Sequence, residues 1–341
     1  MTKFDAPPAP PAAPLTSPGS PLGADTPLPL AQSHTRGDTI FRSVSVACGA
    51  SVLVIMAMIA IFLSIQAWPA LASMGPRFLI DTGWTPDGPS GNFGVAAVLA
   101  GTVEVAAISL IVAMPVAIGT ALFINEVAPP VLRRPLTSLV DLLAALPSLI
   151  YGIWGVFFLQ PRVRGLAQWL TDNFSFIPFF RTDGLNQFGG SLFVAGLIVG
   201  MMILPIAISI TREIMAQVPR DQCEAAFALG GTRREMIRTV ILPFARSGIV
   251  GGAMLALGRA LGETIAVVLI LSHEFRLTAR ILQTGGETVA SLIAIQFNSA
   301  AERGQQALAA AGLALFVLTL LVNVGARAIV ARSKTQKGLA L

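Results

Sequence analysis

Six long apolar runs alternate with short polar segments after an opening stretch of about forty residues: about 44–66, 95–124, 136–159, 191–212, 248–271 and 307–330. Crossing a hydrocarbon core of about 30 Å takes about 20 helical residues, and each run is that long. The pattern predicts an all-α integral membrane protein with six transmembrane helices. Prolines within or at the ends of runs (Pro115, Pro147, Pro205) mark places where a membrane helix kinks while other groups satisfy the freed backbone.

The opening stretch, "DAPPAPPAAPLTSPGSPLGADTPLPL", buries too little apolar surface to offset its ordering entropy, so residues 1–42 are expected to be a disordered Pro-rich tail. The transmembrane domain then covers 43–332, and 333–341 form a C-terminal tail. Ala70-Leu71-Ala72 mimics a signal-peptidase site, but the apolar run and polar leader before it are too long for an ordinary signal peptide. The first run is expected to be an uncleaved span.

Composition agrees: 54% of residues are hydrophobic, 12% are charged, and the mean hydropathy is +0.74. With the N-terminus inside, cytoplasmic segments carry 15 of the 23 Lys and Arg, outside loops carry seven, and Arg259 lies within a span. That bias predicts N-in, C-in. The net charge of +5 sits in loops rather than on one soluble face, which argues against a nucleic-acid partner. Cys48 and Cys223 lack metal-type spacing, and His34 and His273 lack neighbouring ligands. His273, at the outer end of the fifth span, is expected to be solvated.

The loop over 213–246 contains "PRDQCEAAFALGGTRREMIRTVILPFARSG". Asp221 with Glu224 three residues on has the form of a capping box. Gly230 and Gly231 suit a helix end, since glycine accepts the left-handed conformation found there. Thr232 caps a second helix with Met236, Ile237 and Val240 as its apolar stripe, and Pro243 is expected to break it before the fifth span. Such a pair of short helices either docks another protein or lies on lipid.

"EAAFALG", nine residues, then "VILP" resembles the EAA loop of ABC importer permeases, through Glu224, Ala225, Ala226, Gly230, Leu242 and Pro243. The resemblance implies a type I importer (MetI-like) permease fold whose loop couples to a cytoplasmic ATPase. No GxxxxGK[ST] sequence occurs, so ATP and Mg would be used by a partner subunit, with no cofactor bound by this chain.

Charges interrupt the fifth run, in "LGRALGETIAVVLI". A charge at mid-bilayer costs about +2.5 to +3.5 kcal/mol on insertion scales. Arg259 and Glu263, spaced i, i+4, share one face of a continuous helix. They are either an ion pair that lowers insertion cost or part of an anion path. Small neighbours (Gly251, Gly252, Ala253, Gly258, Ala260, Gly262) leave room beside them. A guanidinium donates two parallel hydrogen bonds to an oxyanion, and Glu263 would hold it when no anion is present. Pro147 and Ser148 either present broken backbone and a hydroxyl to the same path or simply kink the helix.

"GGAMLALGRALGETIAV", "LPSLIYG" and "AMPVAIGTALFINEVAP" resemble the PstC-type permeases of bacterial phosphate importers, from the first span to the C-terminus. Sulfate and molybdate permeases carry a related core usually followed by Phe-Gly; Thr264-Ile265-Ala266-Val267 resembles the phosphate branch. This likeness implies a PstA-type second permease, two PstB-type ATPases and a PstS-type phosphate-binding protein, with Arg259 and Glu263 lining the pathway. A stand-alone secondary anion transporter is the rival, but it has no need of an ATPase dock. Glu104, in "GTVEVAAIS", departs from the family pattern, and Asp141 lies near the inner end of the third run.

Overall fold

The computed structural model describes residues 36–88, 91–182, 188–275, 277 and 280–338. The disorder expected for the tail falls on residues 1–35, outside the described set, while 36–42 are helical. Residues up to Ile55 and from Met56 on make two compact units. Of the first, the described part is the leading portion of α1 (Arg36–Met74), which continues without interruption through Ala70-Leu71-Ala72.

The second unit is all-helical apart from isolated bridges. It holds the rest of α1, α2 (Ala96–Leu122), α3 (Pro130–Ala144), α4 (Ser148–Trp154), α5 (Gln160–Phe174), α6 (Leu192–Ala216), α7 (Arg220–Ala228), α8 (Arg233–Met236), α9 (Leu242–Leu261), α10 (Ile265–Ile270), α11 (Val289–Gln296) and α12 (Glu302–Gly338). Among the described residues five helices are long and apolar enough to cross a membrane, and the count is six if one bent pair is a single span.

The third run is not the single helix that its hydropathy predicts. Pro130–Ala144 and Ser148–Phe174 meet at 90°. The cause is Pro147, which has no N–H to continue the helix and disfavours αR at Leu146. Its φ of −59° and ψ of 141° turn the chain. The Tyr151 hydroxyl donates to the Leu143 carbonyl across the bend at 2.8 Å, giving one freed backbone acceptor a partner.

The core forms where small residues let backbones meet. α2 and α6 lie so close that a Cβ at Gly196 would stand 2.6 Å from Ile108 Cγ2, and one at Gly200 would stand 3.2 Å from the Ser109 carbonyl. Val105, Ala113, Ile198, Val199, Ile203 and Ala256 build this centre from α2, α6 and α9. A second cluster joins the end of α1 to α2, α11 and α12 through Ala67, Phe78, Trp84, Phe93, Leu292 and Leu308. Asp87 secures α12 by accepting the Ala301 and Gly304 amides at 3.0 and 2.9 Å, a helix N-terminus capped from another loop.

Two local expectations fail in the loop before α9. Asp221 is not a cap: Pro219 holds the N-cap position, so Asp221 falls inside the first turn and makes no side-chain capping bond. Nor does Pro243 break a helix. A π-turn over Ile237–Ile241 runs directly into α9, whose first turn carries Pro243. The first turn of a helix tolerates the missing N–H, and the π-turn's i→i+5 pattern loosens the hydrogen-bond ladder just before the ring.

Candidate functional site

The fifth run also breaks, at the charged residues. α9 ends at Leu261 with Gly262 as its C-cap, and α10 starts only at Ile265. Arg259 and Glu263 therefore do not share one face of a continuous helix. The Glu263 carboxylate turns to the next helix and accepts the Ala266 amide at 3.4 Å. Thr264 Oγ1 donates to the Gly262 carbonyl at 3.2 Å, closing the three-residue break. Among the described residues no ion pair joins Arg259 to Glu263, and the exposed guanidinium has no hydrogen-bond or ion-pair partner.

The two breaks come together. α4 rests on α10 through Gly152, where a Cβ would lie 3.0 Å from Ala266 Cα and 2.9 Å from Leu269 Cδ1. Only glycine allows that approach. Pro147 is exposed at the head of α4, and the half-buried Ser148 hydroxyl makes no hydrogen bond among the described residues.

Helical rise sets the depth. Gln160, the first polar residue after the apolar stretch of α4, lies about 18 Å along the axis from Ser148. Arg246 lies about 20 Å before Arg259, also well within a hydrocarbon core of about 30 Å. α4 and α10, the helices that follow the two breaks, thus pack against each other, with Arg259 at the end of α9 and Ser148 at the head of α4. Non-helical backbone is tolerated at that depth only against protein or a water-filled cavity.

The other candidates lie at one end of the spans. α7 closes with two paired bonds, Gly231 N–H to Ala226 O at 3.0 Å and Gly230 N–H to Phe227 O at 2.9 Å, with Gly230 at φ +83°. This is a Schellman end, and its left-handed residue is glycine as the conformation favours. Thr232 and Glu235 form a full capping box on α8. Ala226 packs with Met236 and Ile241, so α7 is anchored, and Leu242 is half-buried beside it. Glu224, Ala225 and Pro243 are exposed, as are Phe227 and, at 90%, Leu229. The result is a rigid knob with small and apolar residues outward. Cys223, on its inner side, has its thiol pushed up by burial and further by the Glu126 and Glu224 charges.

One cluster has no counterpart in the sequence reading. His273, expected to be solvated, binds the buried Glu287 at 2.7 Å. Glu287 also accepts the Thr288 amide at 3.1 Å and the Ser291 hydroxyl, while Thr102 accepts the Val289 amide at 3.0 Å. His273 holds φ +54°, a left-handed conformation rare outside glycine. The cluster ties the segment after α10 to α11 and α2. Glu287, Thr288, Val289 and Ser291 are near neighbours, but His273 lies 14 residues and Thr102 187 residues from its partner, so nothing local in the sequence hinted at the cluster. Elsewhere, among the described residues, Glu104 Oε2 is buried with no hydrogen-bond partner, Asp141 is exposed, and no group of His, Cys, Asp and Glu is placed to hold a metal.

Residues 113–335 match the family described as binding-protein-dependent transport system inner membrane component. The phosphate transport system permease protein PstC 2 of Mycobacterium tuberculosis is 42% identical over 299 residues, which cover 86% of this chain and 92% of that protein. PstC of Haemophilus influenzae is 37% identical over 306 residues, covering 88% and 95%. PstC of Xylella fastidiosa is 36% identical over 327 residues, covering 95% and 100%. A chain of the bacterial alginate ABC transporter, solved with its alginate pentasaccharide-bound periplasmic protein, shares the fold at a TM-score of 0.54 and 15% identity, covering 87% and 96%.

Proposed function

The chain belongs to the family of binding-protein-dependent transport inner membrane components, and on that premise we propose that it is the PstC-type membrane subunit of an ATP-driven importer of inorganic phosphate. The observation that carries the proposal is the Arg259 guanidinium, unpaired among the described residues, at the end of α9 where two broken apolar runs pack together. Broken helices are how membrane proteins present amides and dipoles to an anion, and the guanidinium adds a two-pronged donor that matches phosphate oxygens. Ser148 and Pro147 contribute a hydroxyl and unlocked backbone on the facing helix. Glu263, held on the Ala266 amide, sets a negative charge four residues from Arg259 and keeps the anion's stay short. A pathway needs that weakness, since a tight site retains its cargo.

In this reading α7 and α8 face the cytoplasm, both termini are inside, and residues 213–246 are the coupling loop of a permease domain covering 43–332. Glu224, Ala225 and Ala226, backed by Gly230, Leu242 and Pro243, seat in a PstB-type ATPase. Two such ATPases hydrolyse MgATP, a PstA-type permease completes the path, and a PstS-type protein delivers phosphate from outside. ATPase closure moves the knob, and its packing on Met236 and Ile241 passes the movement to α9, whose far end bears Arg259. A stand-alone secondary transporter offers no use for this anchored knob.

The test is uptake of labelled phosphate into vesicles carrying the reconstituted assembly, with and without ATP and with excess sulfate or molybdate as competitor. Uptake that requires ATP and resists both competitors is the expected result. ATP-independent uptake contradicts the importer reading, and displacement by sulfate or molybdate reassigns the cargo.

A further inference from the structure

A groove of about 290 Å³ runs between α1, α11 and α12 at the membrane face opposite α7 and α8. Its lining changes character along its length. At one end stand Gln66, Glu302 and Gln306, at the level of the interfacial, exposed Trp68. Further into the span it is walled by Phe62, Ile293 and Leu308 and floored by Gly312. A Cβ at Gly312 would come into ordinary contact with Ile293 Cδ1 at 3.6 Å, so a larger side chain there would occupy the floor. Phe62 and Phe297 on the rim are 62% and 51% exposed, so the groove opens sideways, as does the surrounding α1 surface of Met58, Ile61 and Ile65.

Polar groups level with an interfacial tryptophan and apolar walls below them follow the profile of one bilayer leaflet. The side chains of Gln66, Glu302 and Gln306 make no hydrogen bond among the described residues. Two amides supply N–H donors, the carboxylate is a charged acceptor, and the groove lining contains no cation.

We propose that this groove is a binding site for a phospholipid with a primary-ammonium headgroup, such as phosphatidylethanolamine. The Gln66 and Gln306 amides donate to the lipid phosphate, Glu302 accepts from the ammonium, and one acyl chain lies along Phe62, Ile293 and Leu308 over Gly312. Phosphatidylglycerol offers no cation to Glu302 and sets an anion beside it. Phosphatidylcholine's quaternary nitrogen has no N–H to donate.

The test uses the full chain, purified with whatever subunits accompany it and equilibrated with equimolar phosphatidylethanolamine, phosphatidylcholine and phosphatidylglycerol. Retained lipid is read by native mass spectrometry. Expected is a preference for phosphatidylethanolamine of about two- to fivefold, the range for a single exposed ion pair. That preference is lost in Glu302→Gln, and retention of all three lipids falls in Gly312→Leu, which fills the floor. Glu302→Gln changes no packing, so it serves even where Gly312→Leu fails to fold. Equal retention of the three lipids by the wild type overturns the proposal, as does an undiminished preference in Glu302→Gln.

Discussion

Replacing Gly152 with alanine adds one methyl group at the place where the two broken helices touch. That carbon would stand 3.0 Å from Ala266 Cα, 2.9 Å from Leu269 Cδ1 and 3.5 Å from Ala266 Cβ. Carbon atoms settle at about 3.5–4.0 Å. The Leu269 methyl can rotate away, but the Ala266 backbone cannot, so α4 and α10 must separate by about 0.5–1 Å. Overpacking of this kind costs about 1–3 kcal/mol, and the helix preference of alanine over glycine returns about 1 kcal/mol. The net loss of stability is thus roughly 0–2 kcal/mol. The displacement falls on the site, because Ala266 is two residues beyond Thr264 and Gly152 is four beyond Ser148. A misplacement of about 1 Å is enough to cost a site up to about 10²-fold. Phosphate uptake by the reconstituted assembly is expected to fall at least about tenfold while the thermal midpoint moves only slightly. Gly119→Ala is the control: nothing lies within 4 Å of its Cβ, and it is expected to gain about 0.5–1 kcal/mol with unchanged uptake. Wild-type uptake in Gly152→Ala would refute the claim that α4–α10 spacing sets the site.

Thr232→Ala removes the capping box of α8. It should cost about 1 kcal/mol, read as a several-fold loss of hydrogen-exchange protection at the Glu235 amide; unchanged protection contradicts the capping role. Asp87→Ala frees the Ala301 and Gly304 amides and should cost about 1–2 kcal/mol, lowering the thermal midpoint; an unshifted midpoint removes Asp87 as the anchor of α12. At Cys223, burial and then the negative charges of Glu126 and Glu224 disfavour the thiolate. Alkylation by iodoacetamide should therefore reach half its plateau above the usual thiol range. Glu224→Gln removes one of those charges and should move the midpoint to lower pH; an unmoved profile contradicts the placement of Glu224 beside the thiol.

Local signals were the most readable in the sequence. The apolar runs located five long helices and a bent pair, because length and hydropathy are properties of single segments. Gly230 and Thr232 were identified with their conformations because caps involve residues at most five positions apart. The breaks were hidden. Gly262-Glu263-Thr264 lies within a continuous apolar run, and hydropathy carries no information about where backbone hydrogen bonds lapse. Pro147 announced a kink, but not its size of 90° nor the contact of Gly152 with Ala266, which is made across more than a hundred residues. Pro243 misled for the opposite reason: a π-turn, without any composition of its own, absorbed it. The i, i+4 spacing of Arg259 and Glu263 pointed to a site yet implied the wrong geometry, since it presupposed an unbroken helix. The likeness to importer permeases drew attention to both residues, and the structure places them on either side of the end of α9.

The central claim is that the free Arg259 guanidinium, at the junction of the broken helices, carries the anion. Uptake of labelled phosphate by the reconstituted assembly, measured for Arg259→Gln beside wild type with ATPase activity followed in the same vesicles, tests it most directly. Glutamine keeps a hydrogen-bond donor but removes the charge and the two-pronged geometry. Loss of uptake with assembly and ATP hydrolysis intact is the expected result. Undiminished phosphate uptake would contradict the account and leave Arg259 as a structural charge.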